Sequence, residues 1–297
     1  MQLYINRQNC AWQMLGVQST MMKTSNSWTK YSNKLIKIHR YFVLFFLLTS
    51  QYVISQELII DSLQYKDGFR KIRIFIPEPM KPIELDQKFL FMTDAQNLFD
   101  DSTSYAGEWQ VDESILEMPT DKRPIVIGID HGNGARLDEL TPYLNKKYGG
   151  GNADEFLVWV TDTVMPHVET RFNHTLQPEH TAIAGSSLGG LFSHYAILKR
   201  PDLFKTAGVF SPSFWFSENI FEFTGKTDIK DSVHLFLSGG TKESDSLISE
   251  LNRMTEILSA HTSISHDLHV IADAGHNEKQ WREVFPIFLQ KIYSWKD

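Results

Sequence analysis

Short apolar runs alternate with longer amphipathic stretches along the chain from residue 56 onward. The short runs are rich in β-branched and aromatic residues and predict eight strands, at 57–63, 70–77, 88–93, 124–129, 181–184, 207–211, 234–238 and 267–272. The longer stretches repeat apolar residues at helical spacing and predict helices that include 153–172, 190–199, 246–260 and 278–293. This alternation predicts an α/β fold, a doubly wound and mostly parallel eight-stranded sheet with helices on both faces.

The later strands are apolar without interruption, as in the runs IVI at 125–127 and LFL at 235–237. Such runs are typical of strands that are buried on both faces of a parallel sheet. The first two strands follow each other closely, as in a hairpin. No repeat or low-complexity linker divides the sequence, so we predict a single domain over 56–297. Ligands bind such sheets at the carboxyl ends of the strands, which directs attention to the loops there.

Residues 1–55 have a different pattern, which predicts an N-terminal extension and a signal peptide. A basic stretch precedes an apolar run at 41–48, and its basic residues are Lys30, Lys34, Lys37 and Arg40. Even extended to residue 54, the run is shorter than the roughly 18 to 20 residues of a spanning helix. We expect cleavage before Gln56 and a secreted or periplasmic protein without stable membrane insertion. An uncleaved anchor and a buried helix are the alternatives, and Met21 or Met22 is an alternative start.

Composition excludes several classes of function. The chain has 36 acidic against 29 Lys and Arg residues, a net charge of −7, which argues against nucleic acid as a partner. The single cysteine is Cys10, inside the predicted extension. The predicted mature chain therefore has no disulfide, no cysteine-based metal site and no thiol nucleophile.

The strongest chemical signal is the GxSxG motif GSSLGG at 185–190, between a predicted strand and an apolar helix. At such a junction the nucleophile elbow forces a serine into strained backbone geometry, and small neighbours make room for the turn. Ser187 is the predicted nucleophile. The backbone N–H of Leu188, at the start of the helix, is the predicted first oxyanion donor. The alternative is an ordinary helix entry in which Ser186 or Ser187 is the N-cap.

A serine nucleophile needs a base and an acid in later loops. His276 follows the last predicted strand and precedes the last helix, so we predict it as the base. His131 follows a strand but precedes Ser187, contrary to the order of serine, acid and histidine on this kind of sheet. The loop at 239–245 offers Glu243, which we favour as the acid, and Asp245 as the alternative. Either carboxylate could instead cap the next helix.

Several motifs together resemble the putative esterase family of α/β-hydrolases, which includes enterochelin esterases, esterase D and the feruloyl and acetylxylan esterases of carbohydrate esterase family one. These motifs are DAQNLF at 94–99, GEW at 107–109, AGSSLGG at 184–190, FSPS at 210–213 and GHNE at 275–278. The resemblance covers about residues 57–295 and implies the α/β-hydrolase fold and an acid at Glu243. It also implies that Ala95 or Gln96 gives the second oxyanion N–H. The family usually has Gly at the Ala95 position, and Ala would be strained there at positive φ.

The remaining loops suggest substrate contacts. Phe214 and Trp215 are candidates for an apolar wall beside the acyl group, with Tyr105 and Trp109 as further aromatic candidates. Aromatic clusters also form cores. His131 lies in a glycine-rich loop that could line the cleft, and a metal site at Asp130 and His131 is an alternative without a second ligand cluster in the sequence.

Together these features predict a serine carboxylic-ester hydrolase that works through an acyl-enzyme, without cofactor or metal. The expected partner is a small-molecule or glycan ester, such as an acyl ester of polysaccharide or of a siderophore. An acyltransferase with the same three residues differs only in which acceptor takes the acyl group. A non-catalytic carbohydrate-binding relative is a further alternative. A glycosidase would have no need of the elbow or of His276.

Overall fold

The computed structural model describes residues 56–79, 81–105 and 107–294. The predicted extension, signal peptide and cleavage site lie outside these residues, apart from Gln56, and stay predictions. Within the described part of the chain, no helix is long and apolar enough to cross a membrane.

One sheet of eight strands organises the described residues, as predicted. The strands are β1 (Glu57–Tyr65), β2 (Gly68–Ile76), β3 (Phe89–Thr93), β4 (Ile125–Ile129), β5 (Thr181–Ser186), β6 (Thr206–Phe210), β7 (Val233–Gly240) and β8 (Ile264–Ile271). Their spatial order is β1-β2-β4-β3-β5-β6-β7-β8. β2 is antiparallel to both neighbours, and every pairing from β4 to β8 is parallel. The carboxyl ends of β3 to β8 therefore meet at one edge.

Eight α-helices connect and cover the strands in the described part of the chain. They are α1 (Val111–Leu116), α2 (Arg136–Leu140), α3 (Ala153–Trp159), α4 (Met165–Phe172), α5 (Leu188–Lys199), α6 (Asn219–Lys226), α7 (Leu247–Ser259) and α8 (Glu278–Ser294). The single helical pattern predicted over 153–172 contains a π-helical segment, Val160–Val164, between α3 and α4. Pro166 is the second residue of α4, and its missing N–H cannot continue the regular ladder of hydrogen bonds.

The alternation of side chains along each strand builds two cores. Ile183 and Leu235 belong to the core that α3 to α7 cover, whereas Ala184 and Phe236 belong to the core that α1 and α8 cover. Neighbouring residues of a strand point to opposite faces of the sheet. Because both faces are covered, the strands carry continuous apolar runs, and the doubly wound prediction is confirmed.

Candidate active site

Ser187 lies at the turn between β5 and α5, at the carboxyl edge of the sheet. Its backbone has φ 58° and ψ −118°, a conformation that non-glycine residues rarely adopt. The surrounding chain fixes this turn, because Ser187 N donates to Phe210 O at 2.9 Å and Leu191 N donates to Ser187 O at 3.1 Å. This is the strand-to-helix elbow that the GxSxG motif predicts.

The glycines of the motif are required because neighbouring atoms leave no room for a Cβ atom at their positions. A Cβ atom on Gly185 would stand 2.5 Å from Thr93 Oγ1, and one on Gly190 would stand 2.7 Å from Phe210 O. A Cβ on Gly189 would overlap the same Thr93 hydroxyl. The ends of β3 and β6 therefore press against the elbow from both sides, and only residues without a side chain fit at these three positions.

His276 and Glu243 form a hydrogen-bonded pair. His276 Nδ1 lies 2.6 Å from Glu243 Oε2, although 33 residues separate them. The Glu243 side chain is only 2% exposed, whereas that of His276 is 40% exposed. A carboxylate in this position can orient an imidazole, hold its tautomer and stabilise its charged form.

Three hydrogen bonds hold the Glu243 carboxylate. Oε1 accepts from Ser211 Oγ at 2.7 Å and from Gly240 N at 2.6 Å, while Oε2 faces His276. Burial alone would raise the pKa of Glu243, but the hydrogen bonds from His276, Gly240 and Ser211 outweigh it and lower the pKa. Asp245 is exposed, so the structure brings Glu243, and not Asp245, to His276. Ser244, and not Glu243, accepts a hydrogen bond from the first turn of α7, from Leu247 N.

The segment that follows β6 links Ser187 to this pair. Ser213 N donates to Ser187 O at 3.0 Å, and the hydroxyl oxygens of Ser187 and Ser213 lie 3.3 Å apart. Two residues earlier, Ser211 donates to Glu243. Among the described residues, Ser187 Oγ has no hydrogen bond to His276. Catalytic hydrogen bonds of free enzymes are often long and tighten only when substrate binds.

Trp281 contacts both Ser211 and His276. Its Nε1 donates to Ser211 Oγ at 2.8 Å, and its ring lies edge to face with His276, 5.1 Å between centroids. The sequence pattern does not predict these contacts of Ser211 and Trp281. The FSPS motif marked the segment of Ser211, but nothing in the pattern separates Trp281 from an ordinary core residue of α8.

The loop after β3 carries the predicted second oxyanion donor. Ala95 and Gln96 begin a 3₁₀ turn, Ala95–Asn97, and their backbone N–H groups have no acceptor among the described residues. The N–H of Leu188, at the start of α5, likewise has none there. The positive φ lies at Asp94, with φ 57° and ψ 42°, so Ala95 escapes the expected strain. Its buried methyl group instead faces Gly128, where a Cβ atom would stand only 2.7 Å away.

The aromatic predictions need correction. Phe214 is fully buried, at 0% exposed, and packs against His194 and Phe221, so it offers no surface to a ligand. Trp109 is likewise in the core. Trp215 is 53% exposed, because the 3₁₀ turn Phe214–Phe216 directs its two phenylalanines inward and its tryptophan outward.

His131 and Tyr105, the other candidate substrate contacts, differ in their surroundings. His131 is partly buried, and its backbone N donates to Gln96 Oε1 at 3.2 Å. Tyr105 is 95% exposed. Asp130 pairs with both nitrogens of the Arg73 fork, at 2.7 and 3.0 Å. No group of three metal-ligating side chains occurs in the described part of the chain.

Comparison with known protein families shows to which family the chain belongs. The sequence model of the putative esterase family matches residues 66–292. The chain belongs to this family. It is accordingly a carboxylic ester hydrolase, as the resemblance implied.

Individual known proteins are similar to this chain over parts of their length. The uncharacterized protein YbbA of Bacillus subtilis (strain 168) is 29% identical over 187 residues, which are 61% of this chain and 71% of that protein. The siderophore enterobactin esterase of Emericella nidulans is 37% identical over 67 residues, 23% of this chain and 22% of that protein.

Solved structures confirm the α/β-hydrolase fold. The BES protein from Bacillus cereus superposes with a TM-score of 0.65 at 17% identity, over 82% of this chain and 98% of that chain. The enterobactin esterase from Shigella flexneri also gives a TM-score of 0.65, at 18% identity, over 82% of this chain and 60% of that chain.

Proposed function

We propose that this esterase works through a triad of Ser187, His276 and Glu243 and an acyl-enzyme intermediate. The observation that carries the proposal is the strained Ser187 at the end of β5, joined through the segment 211–213 to the His276–Glu243 pair. Strain of this kind is expected where a nucleophile must project from the sheet edge.

The reaction proceeds in two steps. Ser187 Oγ attacks the ester carbonyl carbon as its proton passes to His276, and the carbonyl oxygen becomes an oxyanion. The N–H of Leu188 and an N–H of Ala95 or Gln96 stabilise this charge. The C–O bond to the alcohol then breaks, and His276 returns the proton to the departing alcohol. In the second step water attacks the acyl carbon as its proton passes to His276. The bond between the acyl carbon and Ser187 Oγ then breaks, His276 returns the proton to Ser187 Oγ, and the acid is released.

Replacing the nucleophile tests this proposal. We expect Ser187→Ala to lower kcat/KM for p-nitrophenyl acetate by about a thousandfold or more, because no oxygen remains to form the acyl-enzyme. Ser259→Ala, the same change at an exposed position of α7, is the control and should match the wild type. Wild-type turnover by a folded Ser187→Ala variant would reject the triad.

We further propose that the substrate is a small-molecule ester of the siderophore class. Two similar proteins are named as enterobactin esterases, and the one from Shigella flexneri was solved in the presence of enterobactin. The exposed ring of Trp215, two residues after Ser213, offers a wall for an aromatic acyl group.

A substrate panel of enterobactin, methyl ferulate and p-nitrophenyl acetate tests the substrate class. We expect the highest kcat/KM for enterobactin, and about a tenfold loss on aromatic acyl esters in Trp215→Ala with little change for the acetyl ester. Phe69→Ala, an exposed aromatic on β2, is the control. A higher kcat/KM for methyl ferulate than for enterobactin would reject the siderophore class and favour hydroxycinnamoyl esters of polysaccharide.

The predicted signal peptide supports export as part of the proposal. N-terminal sequencing of the protein from the producing cell should give Gln56 as the first residue. A chain that keeps the basic and apolar stretch of residues 30–54 would reject cleavage.

A further inference from the structure

The oxyanion loop, residues 94–97, begins with a residue in an unfavourable conformation. Asp94 has φ 57° and ψ 42°, the left-handed region, and directly precedes Ala95 and Gln96. Aspartate and asparagine enter this region more readily than other side chains, but the conformation still needs support. The direction of the two following N–H groups depends on it.

Arg136, the first residue of α2, donates two parallel hydrogen bonds to the Asp94 carboxylate. Nε lies 2.6 Å from Oδ1 and Nη2 lies 2.8 Å from Oδ2. The Asp94 side chain is 8% exposed and that of Arg136 is 27% exposed. A two-point fork fixes orientation as well as distance, which a lysine cannot do.

Gln96 is held at two further points. Its side-chain Oε1 accepts from His131 N at 3.2 Å, and its carbonyl oxygen accepts from Thr103 Oγ1 at 2.8 Å. Thr103 in turn accepts from Arg73 Nη1 at 3.1 Å. Arg73 also forms the fork to Asp130, the residue before His131.

The helix that carries Arg136 is itself bound to β2. Arg70 forms a buried fork with Glu139 of α2, at 2.8 and 2.7 Å. Gly132 lies over this fork, where a Cβ atom would stand 2.6 Å from Arg70 Nη2. Arginine–carboxylate pairs thus extend from the antiparallel strand to the oxyanion loop.

We propose that Arg136 and Asp94 are a positioning pair that sets the second oxyanion donor for catalysis. This inference rests on the proposed function, because it assigns Ala95 or Gln96 to the oxyanion. Among the described residues, neither side chain of the pair forms a hydrogen bond with Ser187 or His276. The pair acts by holding the strained turn, so that the N–H points to the place where charge develops and needs no rearrangement during the reaction.

Three variants separate the fork from the turn. Asp94→Asn keeps a side chain that tolerates the left-handed region but removes the charge, Asp94→Ala removes both, and Arg136→Lys keeps the charge but removes the fork. Arg123→Lys is the matched control. Arg123 also pairs with a carboxylate, Glu78, at 2.6 Å, but it precedes β4 and so lies at the amino end of that strand, opposite the edge that carries the site.

We expect kcat for p-nitrophenyl acetate to fall about 10-fold in Arg136→Lys and Asp94→Asn, and about 100-fold in Asp94→Ala, with KM changed less than about threefold. The affinity for a boronic acid, which mimics the tetrahedral state, should weaken in the same proportion as kcat/KM. Melting temperatures are measured on the same samples, because a merely structural pair would lower these while the folded fraction kept its kcat.

The inference is overturned if the Asp94 and Arg136 variants keep the kcat and boronate affinity of Arg123→Lys. Ser187→Ala, assayed alongside, keeps the two proposals distinct. An active Ser187→Ala rejects the proposed function, whereas an inactive Ser187→Ala beside fully active fork variants rejects only the positioning pair.

Discussion

The two halves of the site are held by different means. On the side of the proposed nucleophile, at the ends of β5, β6 and β7, backbone hydrogen bonds and glycine packing fix Ser187, and short hydrogen bonds fix Glu243. On the side of the proposed second oxyanion donor, at the ends of β3 and β4, arginine–carboxylate forks fix the loop. The first side is held by backbone hydrogen bonds, close glycine packing and hydrogen bonds to one carboxylate, whereas the second is held by paired charges. Substitutions should therefore affect the two sides in different ways.

The largest expected effect is on Glu243, the proposed acid of the triad. Glu243→Gln replaces the acceptor of the His276 Nδ1–H by an amide, so we expect kcat/KM to fall about 1,000- to 10,000-fold. Asp245→Asn, an equal change in charge two residues away, should stay within about twofold. The measurement is steady-state hydrolysis of p-nitrophenyl acetate. Similar losses in both variants would remove Glu243 from the triad.

The next effect is on packing at the elbow. Gly189→Ala places a methyl group on the Thr93 hydroxyl, and we expect a loss of about 3 kcal/mol in the free energy of unfolding, measured with urea. The Thr93 hydroxyl is buried and has no hydrogen-bond partner among the described residues. Thr93→Ala alone should therefore cost little, and the double variant should recover most of the loss. A stable Gly189→Ala single variant would contradict this account.

Some of the features that these predictions test can be predicted from the sequence, and others cannot. The strands, the elbow and the loops of His276 and Glu243 follow from local patterns and chain order. The Arg136–Asp94 fork does not, because it joins residues 42 apart and depends on β4 lying beside β3 in the sheet. Phe214 was misplaced because an apolar triplet does not say which ring a 3₁₀ turn directs outward.

A smaller effect is expected for the residues behind Glu243. Ser211→Ala removes one of three hydrogen bonds to the carboxylate, and we expect about a tenfold loss in kcat/KM. Trp281→Phe removes the bond to Ser211 and should cost about threefold. Trp281, Ser211 and Glu243 are joined by consecutive hydrogen bonds. The fold-loss in kcat/KM of the double variant should therefore be smaller than the product of the two single fold-losses. Multiplicative losses would show that the two residues act independently.

The smallest effect concerns the pH dependence of stability, which has opposite signs for two glutamates. Hydrogen bonds lower the pKa of Glu243 despite its burial, so its stabilising contribution is present above the ordinary value of 4.5 and lost as the pH falls through the lowered pKa. Burial raises the pKa of Glu278, with Asp94 adding to the shift. Its contribution is therefore present below 4.5 and lost as the pH rises through the raised pKa.

Urea unfolding at pH 7 and near pH 4 checks these signs. Glu243→Gln should destabilise the protein at pH 7 and less so at low pH. Glu278→Gln should stabilise it at pH 7, by up to about 1 kcal/mol, and lose that advantage near pH 4. The same sign for both variants would contradict the assigned environments.

The most direct test of the triad is covalent labelling by a fluorophosphonate, in which serine oxygen displaces fluoride from phosphorus. Intact mass and peptide mapping should show one adduct, on Ser187, in the wild type, and far slower labelling in His276→Ala. An adduct on another residue, or no adduct on a folded and hydrolytically active protein, would contradict the central claim that Ser187 is the activated nucleophile.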